Sequence, residues 1–199
     1  TGDDGSDRGD GGAGDDVLIA LPGVSALLRG GAGSDTLSSS GGTVTLDDSA
    51  HKNEHSLEIQ LPFLQYFRPD IKIVPLILGT QAVEICRILG AGIAGAIRES
   101  QQDVLILASS DMNHFENIAI TRKKDNLAIR EILSLDPEKL LQTVKENDIS
   151  MCGVAPTAVM LFAAKSLGAA KTQLVNYDTS GTVTGDNQEV VGYAGVIVT

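Results

Sequence analysis

Three histidines and two cysteines are the residues of this 199-residue chain best suited to hold a metal or move a proton. His51 and His55 are four residues apart, so a helix would point both the same way. Glu54 and Glu58 flank His55 and either orient its ring or stay solvated beside it. His114 closes the block Ser109-Ser110-Asp111-Met112-Asn113-His114. There Asp111 and His114 are suited to an acid/base pair in which the carboxylate fixes the imidazole tautomer. The competing reading is loop capping, because Ser and Asp satisfy backbone donors after strands. Cys152 sits at a predicted helix start, where the dipole favours thiolate. Thiolate with imidazole suits Fe, Cu or Zn. Cys86 shares a helical stripe with Leu89, Ile93 and Ile97, so core packing explains it.

The elements that position these residues read as alternating helices and strands. Glu54–Phe67 has Leu57, Leu61 and Leu64 at helical spacing, with Pro62 ending or kinking a turn. Ile71–Leu78 is an apolar run expected as a strand, with Pro75 suggesting an edge. Asp103–Ser109 lacks alternation, as a strand covered on both faces would. Helices are predicted over Val83–Ile97, Ile118–Leu133 and Gly153–Leu167, and another opens at Asp136-Pro137-Glu138 with an Asp cap and Pro in the first turn. Gln173–Tyr177 and Val190–Val198 are expected strands around a Gly-rich loop, Thr179–Gln188. The expected fold is α/β, an open parallel or mixed sheet with helices on both faces. Ser109–His114 then lies beyond a strand's carboxyl end, where such folds bind ligands.

Composition divides the chain near residue 45. Residues 1–50 hold nine Asp against two Arg and twelve of the 22 glycines, with no aromatic residue and no histidine before His51. Two stretches, 11–19 and 30–38, match the nonapeptide G-G-x-G-x-D-x-(large apolar)-x. They resemble the calcium-binding RTX repeats of secreted proteins, which wind into a parallel β-roll. By that resemblance Asp16 and Asp35 would ligate Ca²⁺; otherwise the segment is an acidic, disordered leader. Residues 1–45 and 46–199 are therefore expected as separate segments. A formal charge of −11 argues against nucleic acid and anionic membranes as partners.

Four ordered motifs carry a second resemblance, over roughly residues 50–199. They are Glu54-His55-Ser56-Leu57-Glu58-Ile59-Gln60-Leu61-Pro62-Phe63-Leu64, the Ser109–His114 block, Cys152-Gly153, and Tyr177-Asp178-Thr179-Ser180-Gly181 with Gly185-Asp186 and Val190-Val191-Gly192-Tyr193-Ala194. Together they resemble the Memo family, whose bacterial and archaeal members are often called AmmeMemoRadiSam system protein B. That fold resembles class III extradiol dioxygenases, which hold non-haem Fe(II) with two histidines and a carboxylate.

The resemblance implies His55 as a metal-binding histidine and Cys152 at the position of the dioxygenase carboxylate. It implies Asp111 and His114 as the remaining polar pocket residues, His114 where the dioxygenases place their acid/base histidine. The family's earlier metal-binding histidine, in a Pro-His-Ala-Gly-Tyr motif, has no counterpart here, so the domain reads as N-terminally incomplete. Two ligands fall short of the usual three, and His51 is the candidate substitute. The implied function is a non-haem metal-dependent oxidoreductase resembling the extradiol class, impaired by that loss. The alternative is a non-catalytic binding protein using the same pocket for a peptide or small anion. The Memo-like part implies the cytoplasm, the RTX-like repeats secretion.

Overall fold

The computed structural model describes residues 55–199, together with the backbone of four short strands: β1 (Arg8–Gly9), β2 (Leu27–Leu28), β3 (Thr36–Ser39) and β4 (Gly42–Thr45). The calcium ligands expected at Asp16 and Asp35 lie outside the described residues, and so does His51. The chain divides into two compact units, one of residues 1–79 and 91–105, the other of residues 80–90 and 106–199.

In the first unit a 3-10 turn, Glu58–Gln60, leads into α1 (Leu61–Phe67). Pro62 lies in the first turn of α1, where a missing N–H costs nothing, so it opens the α-helix instead of ending one. His55 precedes the turn and lies in no helix, while the i,i+4 placement expected of His51 and His55 involves a residue outside those described. Ile71–Leu78 forms no regular element and pairs in no ladder among the described residues. Ile73, Val74, Leu76 and Ile77 of that run are exposed. The expectation of a doubly covered strand over Asp103–Ser109 is likewise corrected: it has no ladder partner among the described residues, and Leu105 is 73% exposed. Apolar content makes a segment suitable for a sheet interior, but only a neighbouring backbone makes it a strand.

The second unit is built on a three-stranded sheet of order β5-β7-β6, from β5 (His114–Glu116), β6 (Thr172–Thr179) and β7 (Val190–Val198). Both pairings are antiparallel, where a parallel or mixed sheet was expected. Along β7 the even-numbered residues turn inward from Val190, while Tyr193, Gly195 and Ile197 are exposed. The described residues thus cover one face of this sheet, not both.

That face is covered by α3 (Ile118–Leu133), with α4 (Pro137–Glu146) packed on α3 and α5 (Val154–Leu167) packed on α4. Each helix starts and stops for a local reason. The Asn117 side chain accepts the Ala119 and Ile120 amides to open α3, and the Asp136 carboxylate accepts the Lys139 amide to open α4. Gly168, at φ 99°, ends α5. The core between the helices is Ala128, Ile129 and Ile132 with Leu140, Val144, Val154, Ala158 and Leu161.

Residues 83–90 of α2 (Val83–Ser100) belong to this unit and bury Cys86, as its helical stripe predicts. Burial pushes the Cys86 thiol up, which leaves it inert. Arg87 ties α2 to α4 through Glu138 at 2.7 Å while also pairing with Glu84. Gly90 faces α5 so closely that a Cβ would meet Phe162 Cβ, and would stand 2.9 Å from the Val159 carbonyl.

Gly90→Ala is therefore expected to push α2 and α5 apart and destabilise the protein by about 1–3 kcal/mol, read from urea unfolding. Asp136→Ala is expected to cost about 1 kcal/mol by the loss of the α4 cap. The Lys139 amide holds the Asp136 carboxyl below its usual range, so the cap stabilises above the ordinary carboxylate value of about 4. That stabilisation is lost as pH falls through the lower, folded-state value. Wild type and the variant should thus converge in stability at low pH, and a gap that stays constant with pH would contradict the assignment.

Candidate metal centre

Asp111, His114 and Cys152 bring one ligand atom each into a cluster whose members all lie within 4.8 Å of one another. His114 Nε2 is 3.5 Å from Asp111 Oδ2. The Asp111 amide donates to Cys152 Sγ at 3.3 Å. His114 is half-buried, whereas Asp111 and Cys152 face solvent. Donors sharing one metal at ~2.0–2.3 Å stand roughly 3–4 Å apart, so the Asp111–His114 spacing already suits a common ion. Carboxylate, imidazole and thiolate are all anionic or lone-pair donors, and the set fits a borderline transition metal.

The cluster is assembled from two segments. Asp111 and His114 come from the segment that ends in β5, and Cys152 comes from the residues that precede α5, whose N-cap is Gly153. Gly153 is required by close approach: a Cβ there would meet Ser110 and stand 2.5 Å from the Ser109 carbonyl. The Gly153 amide donates to Ser110 Oγ at 2.9 Å, which fastens the two segments together. Ser150 adds a second clasp. Its hydroxyl accepts the His114 amide at 2.7 Å and donates to Asn113 Oδ1 at 3.1 Å, and its own amide donates to the same oxygen at 3.1 Å.

Behind the cluster, Asn113 Nδ2 donates to Glu116 at 2.7 Å, and Glu116 pairs with Lys124 at 2.8 Å. The Lys124 hydrogen bond, with Asn113 second, holds the Glu116 carboxyl below the usual carboxylate range. The register of β5 against β7 slips between His114 and Glu116, so Phe115 is the bulged residue. It sits at φ 58°, is 74% exposed as a residue, and holds its ring 5.6 Å from the His114 ring. Bulges re-aim side chains beside functional sites, and here one turns an aromatic ring to solvent next to the imidazole. Tyr193 on β7 is a further neighbour: burial, then the Asp111 charge, raises its phenol.

Of the residues singled out by sequence, Asp111, His114 and Cys152 come together in the second unit. His55 belongs to the first unit, exposed, with Nδ1 3.4 Å from Glu58 Oε2. Sequence reasoning gave no role to Ser150 or Asp125, nor to Tyr177, which it met only as the opening residue of the fourth motif. Asp125 left a signal, since it is a lone carboxylate on the buried α3 stripe of Thr121, Ala128, Ile129 and Ile132.

Comparison with known proteins follows the same residues. A family model described as Memo-like protein matches residues 34–197. A MEMO1 family protein of Ignicoccus hospitalis is 45% identical over 151 residues, covering 75% of this chain and 53% of that protein. One of Methanocaldococcus jannaschii is 43% identical over 159 residues, covering 78% and 55%. One of Methanococcoides burtonii is 43% identical over 159 residues, covering 79% and 60%. The chain thus spans a little over half the length of the curated relatives it matches. On the extent of the family match and these identities, the chain belongs to the Memo-like protein family.

Proposed function

We propose that this protein binds a transition metal through Asp111, His114 and Cys152, and that the Asp111–His114 pair handles protons for a small molecule or peptide held beside it. One observation carries the reading: thiol, imidazole and carboxylate converge within 4.8 Å in a chain whose only other cysteine is buried in the core. A bound ion would supply Lewis-acid or redox chemistry at that point. The side chains themselves do the rest. Asp111 orients the imidazole, His114 Nε2 takes up a proton when it is not holding the ion, and the exposed Phe115 ring with Tyr193 offers an apolar wall to an incoming molecule.

Thiolate in place of the dioxygenase carboxylate alters the ligand field, so extradiol ring cleavage is not part of this proposal. His55 enters from the Memo motif alone, as a further ligand. Both cysteines are free thiols, which suits a reducing compartment such as the cytoplasm. No helix among the described residues is long and apolar enough to cross a membrane.

Purification without chelator followed by elemental analysis tests the reading, with cobalt(II) titration as the spectroscopic arm. Wild type is expected to take up one equivalent and to show a near-ultraviolet thiolate–cobalt band. Cys152→Ala should abolish the band, and His114→Ala should weaken binding by more than the roughly 10–100-fold typical of losing an outer-shell partner. His55→Ala, measured alongside, decides whether the motif histidine contributes. Equal and negligible metal in wild type and all three variants would refute the metal reading and leave recognition without a metal. Gly153→Ala supplies a separate check: it removes no ligand but forces Ser109-Ser110 off the start of α5, so cobalt affinity should fall while α-helical circular dichroism is retained.

A further inference from the structure

We propose that Asp125 is a positioning residue for this cluster, acting through the backbone of Asn113; the inference rests on the cluster described above and extends it to α3. Asp125 is fully buried, on the face of α3 that meets the sheet. Its Oδ1 accepts the Asn113 amide at 2.7 Å, and its Oδ2 accepts the Tyr177 hydroxyl from β6 at 2.7 Å. Gly192 of β7 lies against the same carboxylate, and a Cβ at that position would collide with Oδ2.

Gly192 also brackets Asn113. It accepts the Met112 amide at 2.9 Å and donates its own amide to the Asn113 carbonyl at 3.0 Å. The peptide between Asp111 and His114 is therefore clamped from two sides, by β7 on one and by the Asp125 carboxylate on the other. An apolar side chain of similar size would fill the space at lower desolvation cost. The choice of a carboxylate is explained by the amide it holds, since that amide would otherwise be a buried, unpaired donor. Tyr177 in turn is committed to Asp125: burial and this hydrogen bond drive its phenol far above its ordinary value, so it serves as a fixed donor.

Three variants test the assignment. Asp125→Asn keeps an acceptor for the Asn113 amide, Asp125→Val removes it, and Tyr177→Phe removes only the supporting hydroxyl. All are measured well below their unfolding midpoints, by amide hydrogen exchange and by cobalt(II) titration. In Asp125→Val the amides of Met112, Asn113 and His114 are expected to exchange at least ~10-fold faster while those of α4 and α5 are unchanged. Cobalt affinity should fall at least ~10-fold, the scale of an outer-shell loss. Asp125→Asn should restore both to within about threefold, a rescue that a mere packing role would not require.

Tyr177→Phe should give an intermediate loss of protection confined to the same amides, and it stands in if Asp125→Val does not fold. Wild-type exchange and affinity in whichever of Asp125→Val and Tyr177→Phe folds would overturn the proposal, as would failure of Asp125→Asn to rescue. If wild type binds no cobalt, the metal reading falls by itself, and exchange at residues 112–114 alone decides on Asp125.

Discussion

A backbone that approaches a ladder through a half-buried site must find a partner for every amide it carries inward. Residues 111–114 meet that constraint one amide at a time. Asp111 donates to Cys152 Sγ, Met112 to the Gly192 carbonyl, Asn113 to the Asp125 carboxylate and His114 to the Ser150 hydroxyl. Four successive donors thus go to β7, to α3 and to two positions of the segment before α5. Only at His114 does a regular element, β5, take over this path. It is fixed by side chains and by two glycines, Gly153 and Gly192, that let their neighbours come close. The same bonds that keep the segment from unsatisfied burial also bring carboxylate, imidazole and sulfur together, so scaffold and site are one set of contacts.

What the sequence disclosed follows from how local each feature is. Helix starts were legible because Asp136 with Pro137 states its function within four residues, and the Cys86 stripe repeats within one helix. The cluster residues were legible as types, although Ser, Asp and Asn after an apolar run serve loop capping as readily as a site. The two apolar runs failed as strands because pairing is a property of a second backbone, and Ile71–Leu78 and Asp103–Ser109 find none among the described residues. The sheet is antiparallel where alternation of helices and strands along the chain suggests parallel or mixed pairing, although the expected Gly-rich loop, which holds the short α6 (Gly181–Thr184), does join β6 and β7. Phe115 could not be foreseen either, because a bulge exists only relative to the register of β7.

Family membership and the physical reading bear on different residues. The Memo motifs single out His55, Asp111, His114 and Cys152 together. The contacts of the second unit account for the last three and add the supports that motifs do not name: Ser150 beneath His114, Asn113 between Ser150 and Glu116, and Asp125 beneath Asn113. Such supports determine how firmly a cluster is held in the geometry a ligand needs, and loose support is a common way for a complete set of donors to be ineffective.

Charge distinguishes between the occupants that the cluster admits. Asp111, Glu116 and Asp125 place three carboxyl groups on or immediately behind it, with the Cys152 sulfur as a fourth potential anion. Of the nearby cations, Lys124 is already committed to Glu116 and to the Asp148 carbonyl. Arg122 makes its charge felt at Tyr177 and Asp178, on β6. The helix dipole of α5 adds only partial positive charge, and the Gly153 amide at that end is taken by Ser110. An anion arriving here would meet acceptors and acidic groups with few free donors, whereas a divalent cation would neutralise the carboxylate and sulfur that the fold has forced together. The electrostatics therefore weigh against a small-anion site and in favour of a metal, on grounds independent of the family likeness.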